Sequence, residues 1–243
     1  MNVREGNEQR AETCRVLRQL CRGTGRPKPR DDRPRLSMGI PSLDRLLPHQ
    51  GLVRGSLVEW LVPVDGSGAG ILALQAVRAA LDPAHVWAVV DPTGEFHAPA
   101  VQGWGISLES LLLVRTSSMA DSLWTVEQCL RCPGIGITWF HAEHLSDRVV
   151  QRWNLAAEVG GGVGVLFRPA RAAHRASWAD VRWQVHPRLA LTTGGHRVRV
   201  ELLVCRDAFA GGCVELDVND ATGDVCLVSA VAGATTTVSA TGA

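Results

Sequence analysis

Apolar runs of strand length alternate with helical segments across residues 56–167, and this alternation restricts the fold more than any other feature of the chain. Strands that are apolar along their whole length are typical of parallel sheets with helices on both faces. The pattern therefore predicts an α/β protein with a mostly parallel sheet flanked by helices. The predicted strands are 56–62, 86–91, 111–115, 135–140 and 164–167, and the predicted helices are 71–81, 118–131 and 147–158.

The pattern changes after Pro169, where the apolar runs are separated by short turns instead of helices. Glycine pairs lie in two of these turns, at Gly194-Gly195 and Gly211-Gly212. Short turns join antiparallel neighbours, whereas parallel neighbours need long crossovers. We therefore expect antiparallel strands to extend the sheet near the C-terminus, at 180–186, 196–205, 213–218 and 225–229.

Residues 1–35 form an arm that differs in composition from the rest of the chain. Within it, Cys14, Leu17 and Cys21 fall at helical spacing between arginines, which predicts a helix over residues 7–22. A basic linker with three prolines follows, and proline disfavours both a helix and a packed strand. We expect the helix to dock on the body of the protein or on a partner.

The remaining chain divides into a core over residues 36–229 and a tail over residues 230–243. The tail consists mostly of small residues that offer little apolar surface to bury, so we expect it to be disordered. Residues 1–35 carry ten basic and five acidic side chains, whereas residues 36–243 carry fifteen and nineteen. Because the basic surplus lies on the arm, the body alone is not expected to bind nucleic acid strongly.

No segment has the properties of a membrane span or an export signal. The chain has no apolar run near the roughly 18 uncharged residues that a span needs, and its N-terminus is polar. We expect a cytoplasmic protein that makes no membrane contact. Its seven cysteines are then expected to be mostly reduced thiols, because disulfides are rare in that compartment.

A glycine-rich turn between the first strand and the first helix of the body has the layout of a phosphate-binding loop. In a working loop, G-x-x-x-x-G-K-[ST], backbone N–H groups surround the phosphates, the lysine contacts the outer phosphates and the Ser/Thr binds Mg²⁺. When Gly68 is aligned with the second glycine, Pro63 replaces the first glycine, Ala69 the lysine and Gly70 the Ser/Thr. The loop has thus lost both its cation and its metal ligand.

The rest of the chain does not restore these groups. Asp65 adds negative charge where phosphates would lie, and the one lysine of the chain, Lys28, belongs to the linker. We predict a degenerate nucleotide loop that does not support ATP hydrolysis, with no catalytic residue, cofactor or metal, although its backbone N–H groups leave weak nucleotide binding open. The residues of the loop are Pro63, Asp65, Gly66, Ser67, Gly68, Ala69 and Gly70.

Acidic residues near the strand ends do not complete a nucleotide site either. A phosphate-binding loop needs an acid at the end of its fourth strand to hold Mg²⁺. Here that strand is followed by His141, and Glu143 is displaced. Glu95, after the second strand, could polarise a water molecule, but Asp91 and Glu95 are more simply interpreted as turn and cap residues.

The order of these motifs resembles the start of a RecA-type recombinase core. Three segments follow one another like those that lead into the nucleotide site of that family. They are LSMGIPSLDRLL, GLVRGSLVEWLV and GSGAGILAL. ImuA-type proteins, RecA-like relatives from bacterial mutagenesis cassettes, are more similar still. The segments that resemble them, between residues 36 and 220, are SLDRLLP, DPTGEFHAPAVQGWGI, LLLVR, DSLWTVEQCLRCPGIG, RWNLAAEVGGGVGVLFRP, SWADVRW and RVRVELLVCRD.

This resemblance implies a RecA-like fold and a role in SOS-induced translesion DNA synthesis. The partners it implies are an ImuB-type inactive homologue of Y-family polymerases and an error-prone replicative-type polymerase subunit, with RecA as a further candidate. The chain would act as an accessory protein through protein–protein contacts, which agrees with the lost lysine. Two other functions stay open, a DNA-stimulated ATPase of the RecA class with an atypical loop and a cell division inhibitor similar to SulA.

Recombinases bind single-stranded DNA through two loops, one after the fourth strand and one after the fifth. The first has little room here, because Phe140 leads almost directly to the next helix. The second corresponds to RPARAAHRAS, in which Arg168, Arg171, His174 and Arg175 are candidates for a contact with DNA or a partner. A solvated loop with no such contact is an equally good interpretation of these residues.

Two further groups of residues have structural and functional interpretations. Cys129 and Cys132 form a C-x-x-C motif, but zinc needs a second ligand pair at suitable spacing, so we expect thiols packed under the sheet. Three tryptophans could face a partner, but a place in the core is the favoured interpretation. They are Trp153, Trp178 and Trp183.

Overall fold

The protein is described by a computed structural model over residues 32–64, 66–189, 195–206, 210–219 and 222–231. The predicted arm helix and the tail beyond Val231 lie outside these residues. The predicted α/β class is confirmed, with a mostly parallel sheet, flanking helices and antiparallel strands near the C-terminus. No helix in the described part of the chain is long and apolar enough to cross a bilayer.

Nine strands form one sheet within the described residues, and a separate pair consists of β1 (Arg35–Leu36) and β2 (Leu52–Val53). The parallel part of the sheet contains β3 (Leu57–Val62), β4 (Val86–Val90), β5 (Leu111–Val114), β6 (Ile135–His141), β7 (Val163–Pro169) and β8 (Val181–Arg188). The antiparallel part adds β9 (Gly195–Cys205), β10 (Cys213–Asn219) and β11 (Val225–Val231). The order across the sheet is β11-β10-β9-β8-β3-β7-β6-β4-β5, so β3 lies at the centre between β8 and β7.

Three helices connect parallel strands as the sequence predicts, and a further short helix, α1 (Pro41–Asp44), lies between β1 and β2. The three are α2 (Ala69–Ala80), α3 (Met119–Arg131) and α4 (Asp147–Gly160), and short 3-10 helices lie at Pro48–Gln50, Ala98–Trp104, Leu108–Ser110 and Ala170–His174. Helix α2 begins two residues earlier than predicted, because Gly68 adopts a left-handed φ of 85° and turns the chain directly into the helix. The last of the 3-10 helices replaces part of the loop predicted after Pro169.

The core lies on both faces of the sheet. Helix α2 packs on one face, and α3 and α4 pack on the other. Cys129 and Cys132 are buried in the second layer, which confirms their predicted place under the sheet. Trp153 and Trp183 are also buried, whereas the Trp178 side chain is 46% exposed and therefore falls outside the core.

Asp180 joins three elements at the start of β3. Its carboxylate accepts hydrogen bonds from the backbone N–H of Leu57 at 2.8 Å and from Nδ2 of Asn154 on α4 at 2.7 Å. Arg206, just after β9, lies 3.1 Å from the same carboxylate. Since Asp180 is fully buried, these contacts offset the cost of removing its charge from water.

An ion pair links the outer strands. Arg197 on β9 donates two hydrogen bonds of 2.7 Å to Asp217 on β10. The hydrogen bond from the Arg197 guanidinium lowers the pKa of Asp217 and raises the pKa of Arg197. The pair joins directly opposed residues of an antiparallel ladder, where opposite charges support the register.

Candidate functional site

The degenerate nucleotide loop connects the central strand β3 to α2 at the carboxyl edge of the parallel strands. Gly66 and Gly68 have φ values of 73° and 85°, and residues with a Cβ rarely adopt this backbone conformation. Gly68 is the N-cap of α2 and supplies no side-chain hydrogen bond to the helix. The backbone therefore keeps the strand–turn–helix course of a phosphate-binding loop, although the residues for its chemistry are missing.

The residues predicted for this loop occupy different environments. Pro63 is exposed, and Asp65 lies outside the described residues. Ala69, at the lysine position, is the first residue of α2 and only 2% exposed, so a buried methyl group replaces the ammonium. A Cβ built on Gly70 would meet no atom within 4 Å, which leaves open space where a Ser or Thr would stand.

A cleft of about 290 Å³ lies against the loop. Its walls include His141 at the end of β6, Phe167 on β7 and His196 on β9. Among the described residues that line it, none is Asp, Glu, Lys or Arg. The other lining residues are Val62, Val64, Gly66, Ser67, Gly68, Ala69, Gly70 and Ile71.

Aromatic rings fill the ends of β6 and β7 beside this cleft. The imidazole of His141 stacks on Phe167 with ring centres 4.4 Å apart and planes 9° apart. The ring centre of Phe167 lies 4.5 Å from that of Trp139. Position 141, which an acid that holds Mg²⁺ would occupy, is therefore part of an aromatic stack.

The acidic residues that follow β4 form hydrogen bonds within their own turn. The Asp91 carboxylate accepts hydrogen bonds from the backbone N–H groups of Gly94 at 2.9 Å and Phe96 at 3.1 Å, which confirms a turn-capping role. Glu95 is exposed, accepts a hydrogen bond from Thr93 at 3.2 Å and does not line the cleft. This placement does not bring Glu95 to a nucleotide at the loop.

The structure separates Arg168 from the other three residues predicted to contact DNA or a partner. Arg168 is buried, and its Nη1 donates to Glu59 Oε1 at 3.1 Å. Glu59, on β3, is itself fully buried and also accepts from Arg182 Nε at 2.7 Å and Ser177 Oγ at 2.8 Å. We call Glu59, Arg168, Ser177 and Arg182 the Glu59 network.

The Glu59 network holds the backbone of the loop that follows β7. Arg182 donates to the carbonyl oxygens of Ala172 at 2.7 Å and Arg175 at 2.9 Å. Arg171, His174 and Arg175 are exposed on this loop, and Arg171 lies 3.4 Å from Glu143. With the exposed Trp178, these three residues form a surface that we call the basic loop. The loop presents its charges on a fixed backbone.

Two features of this region are not predicted from the sequence. Glu59 is a charged residue inside an apolar strand, and this anomaly signals a buried ion pair even though its partners are distant in sequence. His196 reaches the cleft from β9, and no signal in the sequence links it to the loop at 63–70. Among the described residues, no group of three His, Cys, Asp or Glu side chains is placed to hold a metal ion.

Comparison with known proteins shows similarity to proteins named Protein ImuA. The chain is 29% identical over 205 residues to Protein ImuA of Caulobacter vibrioides, strain NA1000 / CB15N, and the match covers 74% of this chain and 82% of the relative. Protein ImuA of strain ATCC 19089 / CIP 103742 / CB 15 gives the same values. No family model matches the chain. The similarity confirms the predicted resemblance to ImuA-type proteins.

Proposed function

From the resemblance to ImuA-type proteins, we propose that this chain is a non-hydrolysing RecA-like accessory protein of an SOS-induced mutagenic translesion DNA synthesis complex. The similarity to Protein ImuA supports a role in the mutagenic response to DNA damage. The observation that carries the non-hydrolysing part is the buried Ala69 at the lysine position of the loop. The chain then acts through contacts with other proteins and not through nucleotide turnover.

The chemistry of the cleft supports the loss of hydrolysis. Phosphoryl transfer needs cations on the phosphate oxygens and Mg²⁺ held by oxygen ligands. The described side chains of the cleft offer imidazoles, an aromatic ring and aliphatic groups, with the Ser67 hydroxyl as the one side-chain oxygen among them. A triphosphate bound there would have backbone N–H groups as its main partners, with little to balance its charge.

The basic loop is the surface that we propose for the partner contact. Arginine and tryptophan are enriched in protein interfaces and supply a large share of binding energy there. Arg171, Arg175 and Trp178 are exposed together on a backbone that the Glu59 network holds, so little order must be gained on binding. The partners we propose are an ImuB-type inactive homologue of Y-family polymerases, an error-prone replicative-type polymerase subunit and RecA.

A pull-down from purified components tests this function. The folded full chain is expected to retain the ImuB-type homologue, and Arg171→Glu with Arg175→Glu is expected to weaken retention by about tenfold, or 1.4 kcal/mol. Arg45→Glu reverses the charge of an exposed arginine directly after α1, serves as the control and is expected to bind like the unchanged chain. Failure of the folded chain to retain the homologue, the polymerase subunit or RecA would count against the proposal.

A weak contact with DNA phosphates through the basic loop is a second candidate, favoured by its exposed guanidinium groups. Such binding would fall steeply with salt, because each neutralised phosphate releases a counterion. If both contacts exist, we expect two results. The chain retains the partner in DNA-free components, and it binds single-stranded DNA at low salt but not at physiological salt.

A further inference from the structure

The first turn of α2 presents three backbone N–H groups that have no acceptor inside the helix. The first hydrogen bond of the helix runs from the N–H of Leu72 to the carbonyl oxygen of Gly68 at 3.2 Å. Ala69, Gly70 and Ile71 precede Leu72, and the N-cap Gly68 has no side chain that could accept from them. All three residues line the cleft. The cleft therefore lies against donors that a ligand with acceptor oxygens would satisfy.

Ser67, directly before this turn, adds a side-chain donor to the same wall. The residue is only 4% exposed, and its hydroxyl makes no hydrogen bond to any residue that the structure describes. A buried hydroxyl without a partner is costly, so such a group calls for a specific explanation. Because Ser67 lines the cleft, a ligand bound there can accept from it. The hydroxyl and the N–H groups of α2 thus point to the same kind of ligand.

The charges around the cleft favour a ligand with a single negative charge. The N-terminus of a helix acts as about half a positive charge, and α2 has no acidic residue in its first turn. Neither Lys nor Arg is found among the described residues of the lining. Asp65 belongs to the same loop in sequence, and its repulsion grows with the charge of the ligand. A carboxylate, with one charge and two acceptor oxygens, suits these groups better than a chain of phosphates.

The rest of the lining is suited to a small apolar group. Val62, Ile71 and Phe167 line the cleft, and Val64 lines it with a side chain that is 63% exposed and open to a ligand. The volume of about 290 Å³ lies at the lower end of small-molecule sites, which span about 300–1,000 Å³. The cleft therefore fits a ligand on the scale of one or two amino-acid residues.

We propose that the cleft binds a carboxylate attached to an aliphatic group. The carboxylate accepts from the first-turn N–H groups of α2 and from the Ser67 hydroxyl, and the aliphatic group lies against Val64 and Phe167. The carboxyl terminus of a polypeptide and a free aliphatic acid share this chemistry. The inference goes beyond the proposed function and does not depend on it, because an accessory protein needs no ligand at this site.

Isothermal titration calorimetry of the folded full chain tests the site. The first probe is N-acetyl-valyl-leucine, a dipeptide with a free carboxylate, and we expect saturable binding with a dissociation constant below about 1 mM. The same dipeptide with a C-terminal amide is expected to bind at least about tenfold more weakly, since hydrogen bonds to an ionised acceptor are the stronger ones. Inorganic phosphate at the concentration of the dipeptide is expected not to displace it.

A third probe, 4-methylpentanoate, distinguishes the two sources of the carboxylate. Binding as tight as that of the dipeptide assigns the site to free aliphatic acids. Binding that is about tenfold weaker assigns it to polypeptide termini, because the second residue then contributes contacts. Either result supports the proposed carboxylate site.

Three variants locate the binding. Ser67→Ala is expected to weaken it about tenfold through loss of one hydrogen bond to a charged group. Gly70→Leu is expected to abolish it, because the new side chain enters the open space of the cleft. Gly103→Leu is the matched control, since a Cβ there also meets no atom within 4 Å and Gly103 does not line the cleft. Circular dichroism verifies the fold of each variant.

The comparison of acid and amide uses the unchanged chain, so it decides the matter even if a variant fails to fold. Equal binding of the two dipeptides, no saturable binding of the acid, or its displacement by inorganic phosphate would overturn the proposal. Unchanged binding by folded Ser67→Ala or Gly70→Leu would place any binding outside the cleft and would overturn it as well.

Discussion

Replacing Glu59 by alanine is expected to lower the free energy of unfolding by about 3–5 kcal/mol, because two buried guanidinium groups then lose their counter-ion. Arg168 and Arg182 are each almost completely buried, and Glu59 lies between them with no exposed surface. Removal of one charge from such a group leaves the others without compensation in a medium of low dielectric constant. Urea denaturation followed by circular dichroism measures the loss.

An exposed ion pair provides the control for Glu59. Glu143 lies 3.4 Å from Arg171, and both side chains are largely in solvent. Glu143→Ala is therefore expected to cost less than about 1 kcal/mol. If Glu59→Ala cost no more than Glu143→Ala, the Glu59 network would not be the buried support of the basic loop that we describe.

The second large effect is expected from Trp153→Ala, which should destabilise the protein by about 3–5 kcal/mol. The Trp153 ring is buried between α4 and the sheet and meets Phe140 edge-on, with ring centres 5.6 Å apart. Its Nε1 also donates to the carbonyl oxygen of Leu123 at 3.3 Å. The substitution therefore opens a cavity and leaves a partly buried carbonyl oxygen without this donor. The midpoint and slope of urea unfolding report the change.

Trp178→Ala is the matched substitution at an exposed tryptophan. Since Trp178 is nearly half exposed, its removal is expected to change the free energy of unfolding by less than about 0.5 kcal/mol. Under the proposed function, the same variant should weaken partner retention in the pull-down. Equal destabilisation by the two substitutions would contradict the assignment of Trp153 to the core and Trp178 to the surface.

The parallel part of the fold could be predicted because local pattern and tertiary role agree there. β3, β4 and β6 are apolar apart from Glu59, Thr138 and His141, since helices cover both faces of the sheet, so the strands are visible as nearly continuous runs. The predicted start of α2 is two residues late, because the sequence shows several glycines but not which of them adopts the left-handed φ. Boundaries of this kind depend on backbone geometry more than on residue type.

The sites were less predictable because they depend on contacts between distant residues. Arg168 follows the fifth predicted strand in a basic segment, and its sequence neighbours suggest an exposed side chain. Its partner Glu59 lies 109 positions away, so the burial of Arg168 becomes visible only when the strands are paired. His196 likewise reaches the cleft because β9 is added beside β8, a tertiary arrangement that local patterns do not encode.

Two measurements test the proposed loss of nucleotide chemistry most directly. One is a titration of the folded full chain with ATP and Mg²⁺, and the other is an assay of ATP turnover with and without single-stranded DNA. We predict no saturable binding up to about 1 mM ATP, which corresponds to less than about 4 kcal/mol of binding free energy, and no turnover in either condition. Saturable micromolar binding, or DNA-stimulated turnover that Gly70→Leu abolishes by filling the open space of the cleft, would contradict the account.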